Sequence, residues 1–227
     1  MKKFALLLTA ALITIAALAQ KEKPTVNWPY MYPDFVEGTL ENFGGLTETA
    51  RYNIHLNIAT LHYLEDGIIK EHSLAKVKQV TIGDEVYCNI YGKMMLLLGE
   101  TEGGLVVKEI LANYSGIISR DGAYGGAVAN RDKTFSHQEN NGSFNGYLIT
   151  DNYADLFAIK NDSDEVPLTT KVYLYINNRL IFANKNSVLE SLNIDKKAFS
   201  EFLKSNDIKW KNPEDLVKII DYITGSK

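Results

Sequence analysis

Apolar and polar residues alternate along most of the stretch from 35 to 112, and a period of two residues predicts β-strands. Tight-turn pairs such as Asp66-Gly67 and Gly83-Asp84 separate these runs. Connections this short join antiparallel neighbours, so the stretch predicts a β-meander or a partly closed, barrel-like sheet. We expect strands near residues 35–41, 49–57, 60–65, 68–72, 77–82, 85–91, 93–99 and 104–112.

The alternation fades after residue 112, and residues 113–186 are predicted to form a loop-rich second β portion. Gly, Asn, Ser and Tyr dominate 113–147, which is typical of long loops. Strand patterns return near 147–150, 156–160, 171–176 and 179–183. Asn177-Asn178 lies between the last two strands and tolerates the positive φ of a hairpin turn.

The apolar spacing becomes helical over residues 187–227. Ser187 with Glu190 predicts a capping box at the start of a short helix. Residues 195–205 place apolar side chains on one stripe, and Asn212-Pro213 begins a second amphipathic segment that Gly225 ends. We therefore expect an α+β fold in which a C-terminal αα-hairpin covers one side of the sheet. Residues 35–227 are expected to form one compact unit.

The first 19 residues have the pattern of a bacterial secretory signal peptide. Met1-Lys2-Lys3 is positively charged, Phe4–Leu18 is an apolar run, and Ala17-Leu18-Ala19 is a small-x-small cleavage site. The pattern predicts export to the periplasm, the outer membrane or the extracellular space, with no membrane span after cleavage. Residues 20–34 follow as an irregular segment, expected to lie extended against the body of the protein.

Charge and cysteine content narrow the possible partners. Cleavage after Ala19 removes Lys2 and Lys3, so 24 basic and 28 acidic residues become 22 and 28, a net charge of −6. An acidic chain without a basic cluster is not expected to bind nucleic acid. Cys88 is the only cysteine, so no internal disulfide can form. Because Val86, Cys88 and Ile90 share one strand face, Cys88 is predicted to be a small buried hydrophobe.

Short apolar and turn motifs occur at both ends of the mature chain. They are Phe35–Leu40, Tyr52–Leu56, Leu61–Leu64 and Val77–Gly83, and in the tail Ala198–Lys204 and Glu214–Ile220. In these motifs the chain resembles a group of small, uncharacterised exported proteins common in Bacteroidota. The resemblance implies a shared fold and a cell-envelope location, and it carries over no activity and no functional residue.

Strand register suggests one candidate metal site. If Ile58-Ala59 and Asp66-Gly67 are two-residue turns, then His55, His62 and Glu71 form a row across three strands. Two imidazoles and a carboxylate suit zinc or iron. The alternative is a solvated surface, because the same face carries Asn53, Asn57 and Thr60.

Two other polar segments contain residue types that can support chemistry. Asp132, Ser136 and His137 contain the residue types of a hydrolase triad, but no glycine-framed serine accompanies them. Asn161–Glu165 is acidic enough for calcium, yet Val166 and Pro167 break the EF-hand pattern, which favours a solvated turn.

Aromatic residues offer a binding hypothesis. Rings beside Asn and Gly could stack on sugars or grip a peptide, whereas the alternative is that they anchor loops to the core. The rings concerned are Trp28, Tyr30, Tyr32, Tyr114, Tyr124, Phe135, Phe144 and Tyr147.

The sequence thus assigns no catalytic, cofactor-binding or metal-ligating residue and no cofactor. Three functions are compatible with it. The first is a non-catalytic structural or protein-binding module of the cell envelope. The second is a carbohydrate- or peptide-binding module, and the third is a hydrolase with a loop-assembled site. The expected partner is an envelope protein or a glycan.

Overall fold

The computed structural model describes residues 25–27, 30–112 and 165–225. Within these ranges the chain forms an antiparallel sheet of eleven strands followed by three helices, so the predicted α+β fold is confirmed. The strands are β1 (Thr25–Asn27), β2 (Val36–Asn42), β3 (Thr47–His55), β4 (Thr60–Glu65), β5 (Ile68–Glu71), β6 (Val77–Ile82), β7 (Glu85–Ile90), β8 (Lys93–Thr101), β9 (Gly104–Ala112), β10 (Glu165–Ile176) and β11 (Arg179–Phe182).

The strand order is β1-β10-β9-β8-β7-β6-β2-β3-β4-β5, and β11 pairs with β10. The strands predicted between 35 and 112 all form, with ends that differ by two residues or fewer. The meander is interrupted once, because β6 returns to pair with β2 and not with β5. Two meanders, β2–β5 and β6–β9, are thereby joined into one sheet.

The sheet curls back on itself. The amide of Met94 in β8 donates to the carbonyl of Ala59, in the turn between β3 and β4, over 2.8 Å. The amide of Ala112 donates to the carbonyl of Leu56 over 3.0 Å. Four strand spacings separate β3 from β8 in the sheet order, which is about 19 Å on a flat sheet. These contacts therefore confirm a partly closed barrel.

Apolar side chains fill the inside of the curl. This cluster comprises Leu40, Tyr52, Ile54, Leu56, Leu61, Val77, Val80, Ile82, Tyr87, Met94, Leu96 and Ile110. On β8–β11 the same inner face continues under the helices as a second cluster, which includes Val106, Leu174, Ile181, Leu216 and Ile219. Leu98 packs against both clusters and joins them.

The helices are α1 (Lys185–Ser191), α2 (Lys196–Ser205) and α3 (Pro213–Thr224). The predicted cap of α3 is confirmed, since the side chain of Asn212 accepts from the amide of Glu214, and Gly225 ends the helix at φ 70°. The predicted start of α1 is wrong. Asn184 caps it by accepting from the amide of Ser187, so Ser187 lies inside the first turn. None of the helices in the described ranges combines the length and the apolar composition needed to cross a bilayer.

Two larger differences from the sequence prediction concern β1 and β10. β1 lies within the segment expected to be irregular, and β10 begins at Glu165, earlier than the strand predicted at 171–176. One cause explains both differences, because β1 pairs with the first residues of β10 in the register Thr25↔Pro167. The strands predicted at 147–150 and 156–160 lie outside the described residues.

Candidate functional site

His55, His62 and Glu71 lie together on one face of the sheet, but in a different register from the one predicted. Leu56–Ala59 form a four-residue turn, so His55 pairs with Thr60 and not with His62. The second predicted pair, His62↔Glu71, is confirmed. The predicted register of β3 against β4 is wrong by two residues. Because side chains alternate with a period of two, His55 and His62 still point to the same face.

This face is buried, so the interpretation as a solvated surface is wrong. His55 and His62 are 1% and 3% exposed, and Asn53 and Thr60 are buried beside them. The covering element is residues 30–35, hereafter the strap. The strap bridges β3 at Tyr30↔His55, and the amide of Met31 donates to the carbonyl of Ile54.

Tyr30 joins the strap to both histidines. Its ring meets those of His55 and His62 edge-on, at centroid distances of 5.3 Å and 5.5 Å. Its hydroxyl shares a 2.7 Å hydrogen bond with Nδ1 of His62. On the other side of that ring, Nε2 lies 3.4 Å from Oγ1 of Thr60 and 3.8 Å from Oε2 of Glu71.

The geometry of the two imidazoles argues against a shared metal. The rings stack nearly parallel, at 5.0 Å between centroids and 12° between planes, whereas ligands of one ion must converge on a point. The described residues contain no cluster of three or more His, Cys, Asp or Glu side chains arranged to hold a metal ion.

Burial keeps both imidazoles neutral near pH 7. It lowers the pKa of His62 to about 4 and, together with the neighbouring His62, lowers the pKa of His55 to about 3. Burial also raises the pKa of the Glu71 carboxyl above its ordinary value. These are the shifts that desolvation produces, so the cluster is polar in composition but weakly charged.

Asn53 fixes the rest of the strap. Its amide nitrogen donates to the carbonyls of Tyr32 and Asp34, and its amide oxygen accepts from the amide of Tyr32. Arg51 adds an ion pair to Asp34 at 3.2 Å. Within the segment predicted to be irregular, residues 30–34 therefore lie against β3.

A second polar cluster joins the strap to β7. The hydroxyls of Tyr32 and Tyr87 both donate to Oε2 of Glu85, over 2.5 Å and 2.8 Å, and lie 2.8 Å from each other. Burial and the hydrogen bond to Glu85 raise the pKa of both tyrosines, whereas the bond between the two hydroxyls raises the pKa of Tyr87 and lowers that of Tyr32. A phenol held protonated is a poor base, so this arrangement suits a structural link better than proton transfer.

Cys88 occupies the predicted environment. It is buried on the outer face of β7 beside Ile90, Met95 and Val107. Burial raises the pKa of its thiol to about 11, and nearby Glu100 adds to the rise. A thiol held protonated is a weak nucleophile.

Several sequence candidates lie outside the described residues. These are Asp132, Ser136 and His137, the acidic residues 161–164, and the aromatics Trp28, Tyr114, Tyr124, Phe135, Phe144 and Tyr147.

An aromatic surface that was not predicted from the sequence lies on the outer side of β7–β11. The aromatic face, as we call it, consists of Tyr91, Tyr173, Tyr175, Leu180 and Phe182. Tyr91 is 67% exposed and Phe182 is 44% exposed. The alternation of Tyr173 with Tyr175 and of Leu180 with Phe182 in the sequence could have indicated one shared side.

The rings of the aromatic face are held in place. Tyr91 meets Tyr175 edge-on at 6.1 Å, and Tyr173 meets Phe182 edge-on at 5.7 Å. The hydroxyls of Tyr91 and Tyr175 both donate to Asn178, at its backbone carbonyl and its side-chain oxygen. The hydroxyl of Tyr173 donates to Glu109, which also pairs with Lys93.

In comparisons with known proteins, no protein-family model, no curated protein and no solved structure matches the chain.

Proposed function

We propose that this chain is an exported, non-catalytic protein-binding module of the cell envelope, and that the aromatic face is its contact surface. The observation that carries the proposal is the concentration of aromatic side chains on one side of β10 and β11 and at the adjoining turn. Tyrosine and other aromatic residues are enriched where proteins bind one another.

The rigidity of the aromatic face supports this proposal. Three tyrosine hydroxyls have intramolecular partners, and two edge-to-face ring pairs fix the ring planes. A side chain ordered before binding loses less conformational entropy in the complex. Such a surface can therefore contribute affinity without further rearrangement.

The polar clusters support a non-catalytic role. The histidines and Tyr30 hold the strap, and Tyr32, Tyr87 and Glu85 satisfy one another's hydrogen bonds. Each cluster has a structural explanation that requires no substrate.

A glycan is the second candidate partner. Asn177 and Asn178 form the exposed β10–β11 turn beside Tyr175, with φ values of 49° and 58°. An amide next to exposed rings can bind sugar hydroxyls and stack on a sugar face.

Site-specific photocrosslinking in the source cells would test the aromatic face. A photoreactive phenylalanine analogue is placed at Phe182 and, as the matched control, at Phe43, an exposed phenylalanine in the β2–β3 turn. We expect one discrete protein adduct from position 182 and none from position 43. The adduct should weaken at least tenfold in Tyr91→Ser, which alters an exposed side chain.

Failure to form an adduct at position 182, or equal adducts at both positions, would contradict the proposal. An adduct whose added mass is a sugar, removed by glycosidases and containing no second polypeptide by mass spectrometry, would favour the glycan instead. Export has a separate test: N-terminal sequencing of the mature protein from an envelope fraction should begin at Gln20.

A further inference from the structure

We propose that the stacked pair His55–His62 is an acid-sensitive latch, which holds the strap on β3 at neutral pH and releases it when either ring gains a proton. This inference concerns the stability of the strap and does not depend on the function proposed above.

The geometry makes the neutral pair compatible with the strap and a charged pair incompatible with it. The two rings stack 5.0 Å apart, and Tyr30 packs edge-on against both. An imidazolium in this position would lose its hydration, and two of them would repel each other at close range.

The described contacts of the pair include one carboxylate. Tyr30 from the strap and Glu71 from β5 are titratable side chains that contact His62, and Oε2 of Glu71 lies 3.8 Å from Nε2 of that ring. Thr60 and Asn53 contribute neutral groups from β4 and β3. Because burial raises the pKa of Glu71, acid removes this carboxylate's charge more readily than that of an exposed one.

The strap can leave the histidines without breaking a strand pair of the meander. Its backbone is joined to β3 by the bridge Tyr30↔His55 and by the bond from Met31 to Ile54. Its side chains and carbonyls also bond to His62, Asn53, Arg51 and Glu85, so release must break these contacts as well. β3 and β4, by contrast, pair continuously over five residues from Arg51↔Leu64 to His55↔Thr60. Releasing the strap would expose the rings to water and leave the sheet intact.

The direction of the pH effect follows from proton counting. In the closed form the pKa values are about 3 for His55 and about 4 for His62, whereas exposed rings return toward 6.5. Below about pH 6.5 the open form therefore binds more protons, and acid favours it. The opening equilibrium should rise about tenfold per pH unit for each ring that takes up a proton on opening.

Hydrogen exchange followed by NMR between pH 7 and pH 4.5 tests the latch. The reporters are the amides of Met31 and Tyr32, which bond to Ile54 and Asn53, and the reference is the set of amides of β9. Protection factors remove the intrinsic pH dependence of exchange. We expect the reporters to lose at least tenfold protection per pH unit below 6.5 while β9 keeps its protection.

Two variants make the test specific. His55→Gln/His62→Gln removes both titrations and should leave the protection of the reporters constant with pH. His72→Gln is the matched control, because His72 lies outside the strap contacts, 3.8 Å from Glu48, and should leave the pH dependence unchanged. If the double variant does not fold, His62→Gln alone should reduce the slope.

Three results would overturn the latch. One is protection of the reporter amides that stays constant with pH in the unsubstituted protein. Another is a loss of protection in the glutamine variants as large as that in the unsubstituted protein. The third is a loss of protection in β9 that parallels the loss in the reporters, which would show unfolding of the whole sheet and not release of the strap.

Discussion

Cys88 illustrates how one side chain's surroundings set its chemistry. It lies among Ile90, Met95 and Val107, and burial raises its thiol pKa to about 11. At neutral pH the folded protein therefore presents almost no thiolate. Reactivity should depend on unfolding and not on the intrinsic properties of the thiol.

Thiol labelling checks this prediction. With a disulfide reagent at pH 7.5, we expect the folded protein to react at least a hundredfold more slowly than the protein in concentrated denaturant, where one thiol per chain should react at once. Reaction of the native protein at the rate of a free thiol would contradict the buried environment.

Gly99 shows a different kind of constraint, because here the absence of a side chain matters. A Cβ atom at this position would lie 2.8 Å from Cγ2 of Val217 in α3. We expect Gly99→Ala to lower the free energy of unfolding by about 1–3 kcal/mol, as overpacking does. Urea denaturation measures the change.

A double-mutant cycle isolates the cause. Val217→Ala removes the obstructing methyl groups, so Gly99→Ala/Val217→Ala should lose less stability than the two single changes added together. Gly44→Ala is the matched control, since nothing lies within 4 Å of its Cβ position, and it should be close to neutral. Additive losses in the cycle would show that α3 does not press on Gly99.

At the level of elements, α3 depends on the residue that caps its N-terminus. The side chain of Asn212 accepts from the amide of Glu214, and its amide group donates to buried Asp215. We expect Asn212→Ala to cost about 1 kcal/mol of stability, while Asn212→Ser retains most of it because serine still offers an acceptor. Urea denaturation again provides the measure, and Lys211→Ala, at an exposed neighbouring position, should change nothing.

The elements could be predicted from the sequence wherever burial follows local periodicity. β4, β6 and β9 have the predicted bounds because apolar residues alternate and turn pairs stand at their ends. The prediction for the β3–β4 turn is wrong because Leu56 belongs to the turn and is nevertheless fully buried, with its carbonyl bonded to the amide of Ala112. Its apolar side chain continues the alternating pattern, which therefore predicts a strand two residues too long.

The candidate site was less predictable, because its properties come from contacts between distant segments. His55 and Asn53 look like surface residues until the strap, some 20 positions earlier, covers them. The aromatic face could likewise not be predicted, because the sequence does not show that the helices cover the other side of β10, where Leu174 and Ile176 lie. Local pattern indicates that two faces exist, but not what covers each of them.

At the scale of the whole molecule, the curled sheet and the helices share one core. Leu98 packs against both clusters, and α3 lies against β8, β9 and β10. Loss of packing under α3 should therefore weaken β7 as well, although β7 lies beyond the strands that α3 touches. We expect the two parts to unfold in a single transition.

Two local reporters can test this coupling. Trp210, in a Trp28→Phe background, reports on the helices by fluorescence, and pulse labelling of Cys88 reports on β7. The urea midpoints from both reporters should coincide. Leu216→Ala truncates a buried side chain of α3 and should lower the free energy of unfolding by about 2–5 kcal/mol. Both urea midpoints should then fall together. A shift confined to Trp210, with Cys88 protected up to the original midpoint, would mean that the helices unfold independently and that Leu98 does not couple them to the sheet.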